Sequence, residues 1–92
     1  MNAKEIAANL VPLEIQWITY AAEKGAYRTN EGGMGDTICS MLCSPNKESG
    51  RPALMKWEMG DKRGWDGSLL YTEKYTLNDL GLAVAKELEA RT

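Results

Sequence analysis

The sequence predicts a small α+β domain: a core of three helices, then a β-hairpin, then a C-terminal helix. Three observations predict it. Residues 13–24 and 77–88 carry apolar side chains at helical spacing. Residues 61–77 contain Asp66-Gly67, a hairpin dipeptide, followed by a run rich in aromatic and β-branched residues. The chain is 92 residues long, with 43% hydrophobic and 26% charged residues. That is the size and balance of one folded unit with one small core, not of a disordered tail.

The elements follow in order. Residues 2–9 form a short helical turn behind Asn2. Pro12 stands in the first turn of a longer helix, where its missing N–H costs nothing. From Leu13 to Lys24, Leu13, Trp17, Tyr20 and Ala21 gather on one side and Ile15, Ile18 and Ala22 on a second. Only Gln16, Thr19 and Glu23 form a polar strip, so a helix buried over more than half its circumference is expected. Gly25 ends it, and a short strand is expected at residues 26–29. Asp36 is placed to cap a short helix through Cys43, with Ile38, Met41 and Leu42 on its buried face. Residues 44–52 read as a polar, turn-rich connection. Residues 52–59 fit either period; Pro52 at the front and Gly60 at the back favour a helix. Residues 69–77 read as a strand, and Asn78 or Thr76 caps the final helix. There Leu77, Leu80, Val84 and Leu88 make one stripe, Leu82 and Ala83 lie opposite, and Glu87 and Arg91 can pair. The expected core is Trp17, Ile18, Ala21, Ile38, Leu42, Leu54, Tyr71, Tyr75, Leu77, Leu80, Val84 and Leu88.

Composition narrows the function. The chain has no histidine, which removes the commonest general base and the commonest metal ligand. No nucleophile–base pair or paired carboxylate signature stands out, so an enzyme is not expected, nor a cofactor. The glycines of residues 26–35 fit neither a Walker loop nor GxGxxG, so that segment reads as a connection. Cys39 and Cys43 lie one helical turn apart, with Cβ atoms about 6 Å apart, too far for the ~3.8 Å of a disulfide. They read as two small buried hydrophobes in a reducing cytoplasm. No apolar run is long enough to cross a bilayer, and Glu5 and Asn9 interrupt the stretch a signal peptide would need. The expectation is a cytoplasmic protein with no membrane contact.

One stretch is more specific. Tyr75-Thr76-Leu77-Asn78-Asp79-Leu80-Gly81, with Leu88 seven residues further on, resembles the segment of winged helix-turn-helix regulators of bacteria and phages in which the last wing strand enters the next helix, commonly Tyr-x-Leu-Thr-x-x-Gly. Asn78 stands where threonine is usual, and both cap helices. Tyr75 and Leu77 point to one side of the strand, Asn78 turns the chain, and Gly81 lets the helix pack closely. The tight resemblance covers residues 71–88; elsewhere the likeness is one of element order.

The resemblance implies a winged-helix-like domain that binds double-stranded DNA in transcriptional control, as a dimer. Residues 50–59 would be its recognition helix and residues 60–68 its wing tip. The DNA-binding candidates are Lys47, Arg51, Lys56, Lys62 and Arg63. Against Glu48, Glu58 and Asp61 they make a local surplus of two positive charges in a protein of net charge −2. So small a surplus gives weak binding per copy, which is why a dimer is implied. Trp65 would anchor the wing rather than touch a partner. The alternative is a protein-binding module without DNA binding, such as a phage-encoded inhibitor of anti-CRISPR or antirepressor type docking on a host protein. The pI near 5.1, the three tryptophans and the methionines Met34, Met55 and Met59 favour it.

Overall fold

A computed structural model describes residues 2–28, 35–63, 66 and 69–91. Its elements are α1 (Ala3–Ala8), α2 (Pro12–Lys24), β1 (Tyr27–Arg28), α3 (Gly35–Leu42), β2 (Met55–Arg63), β3 (Leu69–Leu77) and α4 (Asp79–Ala90). The strands form one antiparallel sheet in the order β1-β3-β2. The described residues make an α+β domain of four helices and three strands.

Local chemistry sets the helix ends. Asn2 caps α1 by accepting the amide of Glu5 at 2.9 Å. Glu14 caps α2 from inside, taking the Val11 amide at 3.0 Å, the N3 half of a capping box. Gly25 ends α2 with φ of +84°, the left-handed region that glycine enters without strain. Asp36 falls in the first turn of α3 instead of at its cap, because the helix begins at Gly35, two residues before the Thr37 that a cap at Asp36 would imply. A carboxylate there still meets the positive end of the helix dipole. Cys43 lies just past α3, and its amide closes the last turn on Cys39 at 3.2 Å.

The core is built from Ile6, Trp17, Ile18, Ala21, Tyr27, Leu42, Leu54, Tyr75, Leu77, Val84 and Leu88, with Ile38 and Leu80 packed partly buried against it. Trp17, Tyr20 and Tyr27 meet edge to face at 5.1–6.1 Å, a favoured aromatic geometry. α2 buries less than its sequence suggests. Leu13 of the first face and Ala22 of the second are exposed and Ile15 is only partly covered; Trp17, Ile18 and Ala21 are in the core, and Ile15 and Ala22 border a groove. Tyr71 was expected in the core, but its side chain lies outside those described.

The largest correction concerns residues 52–59. They supply no recognition helix: β2 begins at Met55, and no helix separates it from α3. Nine cross-strand pairs, from Met55 opposite Leu77 to Arg63 opposite Leu69, hold the segment extended. Gly60, a helix stop in the sequence, lies within the strand opposite Thr72. Of these eight residues, compatible with both periods, Met55–Met59 took the one their partner strand imposes. Asp66 stands in the turn midway between the paired Arg63 and Leu69; Trp65 and Gly67 lie outside the described residues, as does the glycine-rich segment at residues 29–34.

The Tyr75–Gly81 segment is a structural junction. The Asn78 side chain accepts the Gly81 amide at 2.8 Å and donates to the Ala53 carbonyl at 2.8 Å. The Leu54 amide donates to the Leu42 carbonyl at 2.8 Å, and the Leu54 carbonyl accepts from Asn78 at 3.1 Å. The end of α3, the start of β2 and the start of α4 are tied at this point. A Cβ on Gly81 would run into the Leu54 carbonyl oxygen, so close packing requires glycine there.

Candidate functional site

The five basic residues singled out in the sequence do not share one environment. Lys47 is exposed in the turn at residues 47–50, and Lys56 is exposed on β2. Lys62 and Arg63 belong to β2 near the hairpin turn; their side chains lie outside those described.

Arg51 is inside the protein, only 9% exposed. The Asn46–Arg51 turn puts it there. Asn46 accepts the amides of Glu48 and Ser49 at 3.0 and 3.2 Å, an Asx-type turn. Gly50 follows with φ of +76°, and the Asn46 amide donates to the Arg51 carbonyl at 2.8 Å. The Arg51 guanidinium then donates from Nη1 to Glu14 Oε2 at 2.9 Å. Glu14 thus uses one oxygen to cap α2 and the other to neutralise Arg51. The positive charge that looked available for a phosphate is already matched by a carboxylate. Without Arg51, the stretch from Lys47 to Arg63 carries four cations against three carboxylates. The hairpin itself is balanced, with Lys56, Lys62, Arg63 and Lys74 against Glu58, Asp61, Asp66 and Glu73.

The exposed apolar residues give a different picture. Met55, Trp57 and Met59 alternate along β2 and therefore share one face. Met55 is 2% exposed, Trp57 49% and Met59 59%. The face that enters the core at the base of the hairpin emerges from it further out. Sequence reading gave Met55 and Met59 the same surface role; Met55 is in fact core, and Met34 lies outside the described residues. Of the tryptophans, Trp17 is buried and Trp57 is the one open to solvent among the described residues. In the sequence Trp57 belongs to a segment that fits either period, and counts as one of three tryptophans that favour a protein partner. Its signal, an alternation of Met, Trp and Met, was present but could not be used until the period was known.

Two concavities lie elsewhere. One, of about 650 Å³, runs between α1, α2 and α4 and is lined by Ala7, Leu10, Ile15, Ala22, Ala85 and Leu88. Arg91 of its rim donates to the Lys4 carbonyl at 3.3 Å, tying the end of α4 to α1; in the sequence it had been matched with Glu87. The other, of about 330 Å³, lies beside the Glu14–Arg51 pair, with Val11 and Met41 among its lining residues.

The cysteines are free. Burial raises the Cys39 thiol to about 12, with Cys43 and Asp36 adding to the shift. Burial also raises Cys43. Neither is a thiolate at neutral pH, the form that reacts with disulfides and metals. Tyr75 is pushed up to about 12 by burial and by its hydrogen bond to Glu73 at 2.9 Å. No helix among the described residues is long and apolar enough to cross a membrane. No family model, curated protein or solved structure matches the chain.

Proposed function

We propose that the protein is a binding module that docks on another protein through its hairpin, with Trp57 and Met59 as the anchors. The observation that carries this reading is the stripe on β2 that leaves the core at Met55 and continues into solvent at Trp57 and Met59. Isolated exposed apolar residues are ordinary. A tryptophan and a methionine on the same face of one strand are a better anchor, because tryptophan dominates interface hot spots and methionine adapts to irregular surfaces. The balanced charge of the hairpin suits a mixed polar rim around that stripe rather than a row of phosphates. A host protein as the target, in the manner of small phage inhibitors, belongs to this proposal.

The test is capture from a lysate of the source cell by the immobilised protein, beside Trp57→Ala and Met59→Ser. The expected result is a partner held by the wild type and bound about thirtyfold or more weakly by Trp57→Ala, the scale of a hot spot. Equal retention by all three proteins would remove the hairpin stripe from the account.

The second reading, DNA binding in transcriptional control, draws its support from Lys56, exposed on the same strand that carries Lys62 and Arg63 toward the hairpin turn. With no recognition helix at residues 50–59 and Arg51 held by Glu14, this reading rests on the wing, with Lys47 the one other candidate exposed among the described residues.

A further inference from the structure

We infer that two copies of this chain pair through β2, antiparallel and about a two-fold axis at Trp57. β2 is the outer strand of the sheet, so one side of its backbone offers N–H and C=O groups to a further strand. Such an edge is a template for another strand, and the sequence of this one is complementary to itself.

Centred on Trp57, the pairing sets Met55 opposite Met59 of the second copy and Trp57 opposite its own equivalent. These are the residues of one face, and together they extend the apolar stripe across both copies. On the other face, Lys56 lies opposite Glu58, and Glu58 opposite Lys56. Both are exposed, so the cross-strand pairs form without unburying either side chain. Opposite charges placed directly across strands stabilise and like charges destabilise. Shifting the centre to Glu58 sets that carboxylate against itself. Shifting it to Met59 sets Lys56 against Lys62. The Trp57 register alone among these three matches apolar with apolar on one face and opposite charges on the other.

The proposal concerns the strand edge, whereas the docking proposed above concerns the sheet face, so either can fail without the other. It also commits the edge to a second copy, not to a foreign peptide.

The test is a charge swap read by analytical ultracentrifugation over a concentration series. Wild type is expected to sediment as a concentration-dependent dimer. Lys56→Glu sets one carboxylate against another, across from Glu58, in each half of the interface, and Glu58→Lys does the same with cations. Each variant is expected to dimerise about tenfold more weakly, the combined effect of two reversed cross-strand pairs. An equimolar mixture of the two restores opposite charges across the interface and is expected to regain dimer as the heterodimer. Because Glu58 also meets Lys74 within the chain at 3.4 Å, thermal melting checks the fold of each variant. The double variant Lys56→Glu/Glu58→Lys, complementary again, is expected to dimerise like wild type. A wild type that stays monomeric throughout, or a dimer indifferent to the swaps, would overturn the inference.

Discussion

Five residues show how much of the fold's stability depends on single positions. Gly81 is required where α4 meets the Leu54 carbonyl. Gly81→Ala is expected to cost about 3 kcal/mol, the upper range for overpacking, measured as a drop in unfolding free energy in urea. Arg51 and Glu14 form a nearly buried pair, with side chains 11% and 14% exposed. Removing one partner strands the other's charge, so Arg51→Ala is expected to cost about 3–5 kcal/mol. Arg51→Met with Glu14→Leu is expected to lose less than the two single changes summed, although the Glu14 cap of Val11 is lost as well. A double-mutant cycle measures the difference. Cys39 and Tyr75 set the response to alkali. Both hold their protons to about 12 in the folded protein, whereas in the unfolded chain they ionise from about 9 and 10. Above pH ~9 the unfolded state therefore binds fewer protons, and stability falls as pH rises. The decline is expected to run from about 9 toward 12 and to be shallower in Cys39→Ala, read from thermal melts across that range.

At the scale of elements, long periodic segments were legible and short ambiguous ones were not. α2 and α4 could be read because each spans three turns or more with a cap or stop at its ends. Asn78 was legible as one of two candidate caps, beside Thr76, and is the one used; its second bond, to Ala53, depends on how the chain returns from α3 and leaves no local sign. Asn78→Thr is expected to keep the cap but lose this tie, at about 1 kcal/mol, measured against Asn78→Ala in the same denaturation series. β2 was misread because Pro52 and Gly60 look like helix boundaries when the partner strand is not in view. The hairpin itself was foreseen over residues 61–77 from Asp66-Gly67 and the 69–77 run; its starting point at Met55, six residues earlier, was not. The candidate site moved with that boundary. Residues assigned to a groove-reading helix became a strand, and Trp57 passed from an undecided position to the outer part of the exposed stripe.

At the scale of the molecule, charge and shape separate the two functional readings. The principal extents are 46 × 28 × 21 Å, and the longest strands belong to the hairpin. Its charges cancel, Arg51 is neutralised from within, and the net charge of the whole is −2. Binding to DNA through phosphates requires cations free to displace counterions, and affinity then falls steeply with salt. Docking on a protein through Trp57 and Met59 carries no such dependence on random duplex. The most direct measurement is fluorescence anisotropy of a labelled random duplex titrated with the protein at about 50 and about 200 mM salt, a range over which several phosphate contacts change affinity by orders of magnitude. The account predicts no binding at the lower salt. Binding there that weakens sharply at the higher salt would contradict it, and would make the basic residues of the hairpin, rather than its apolar stripe, the working surface of the protein.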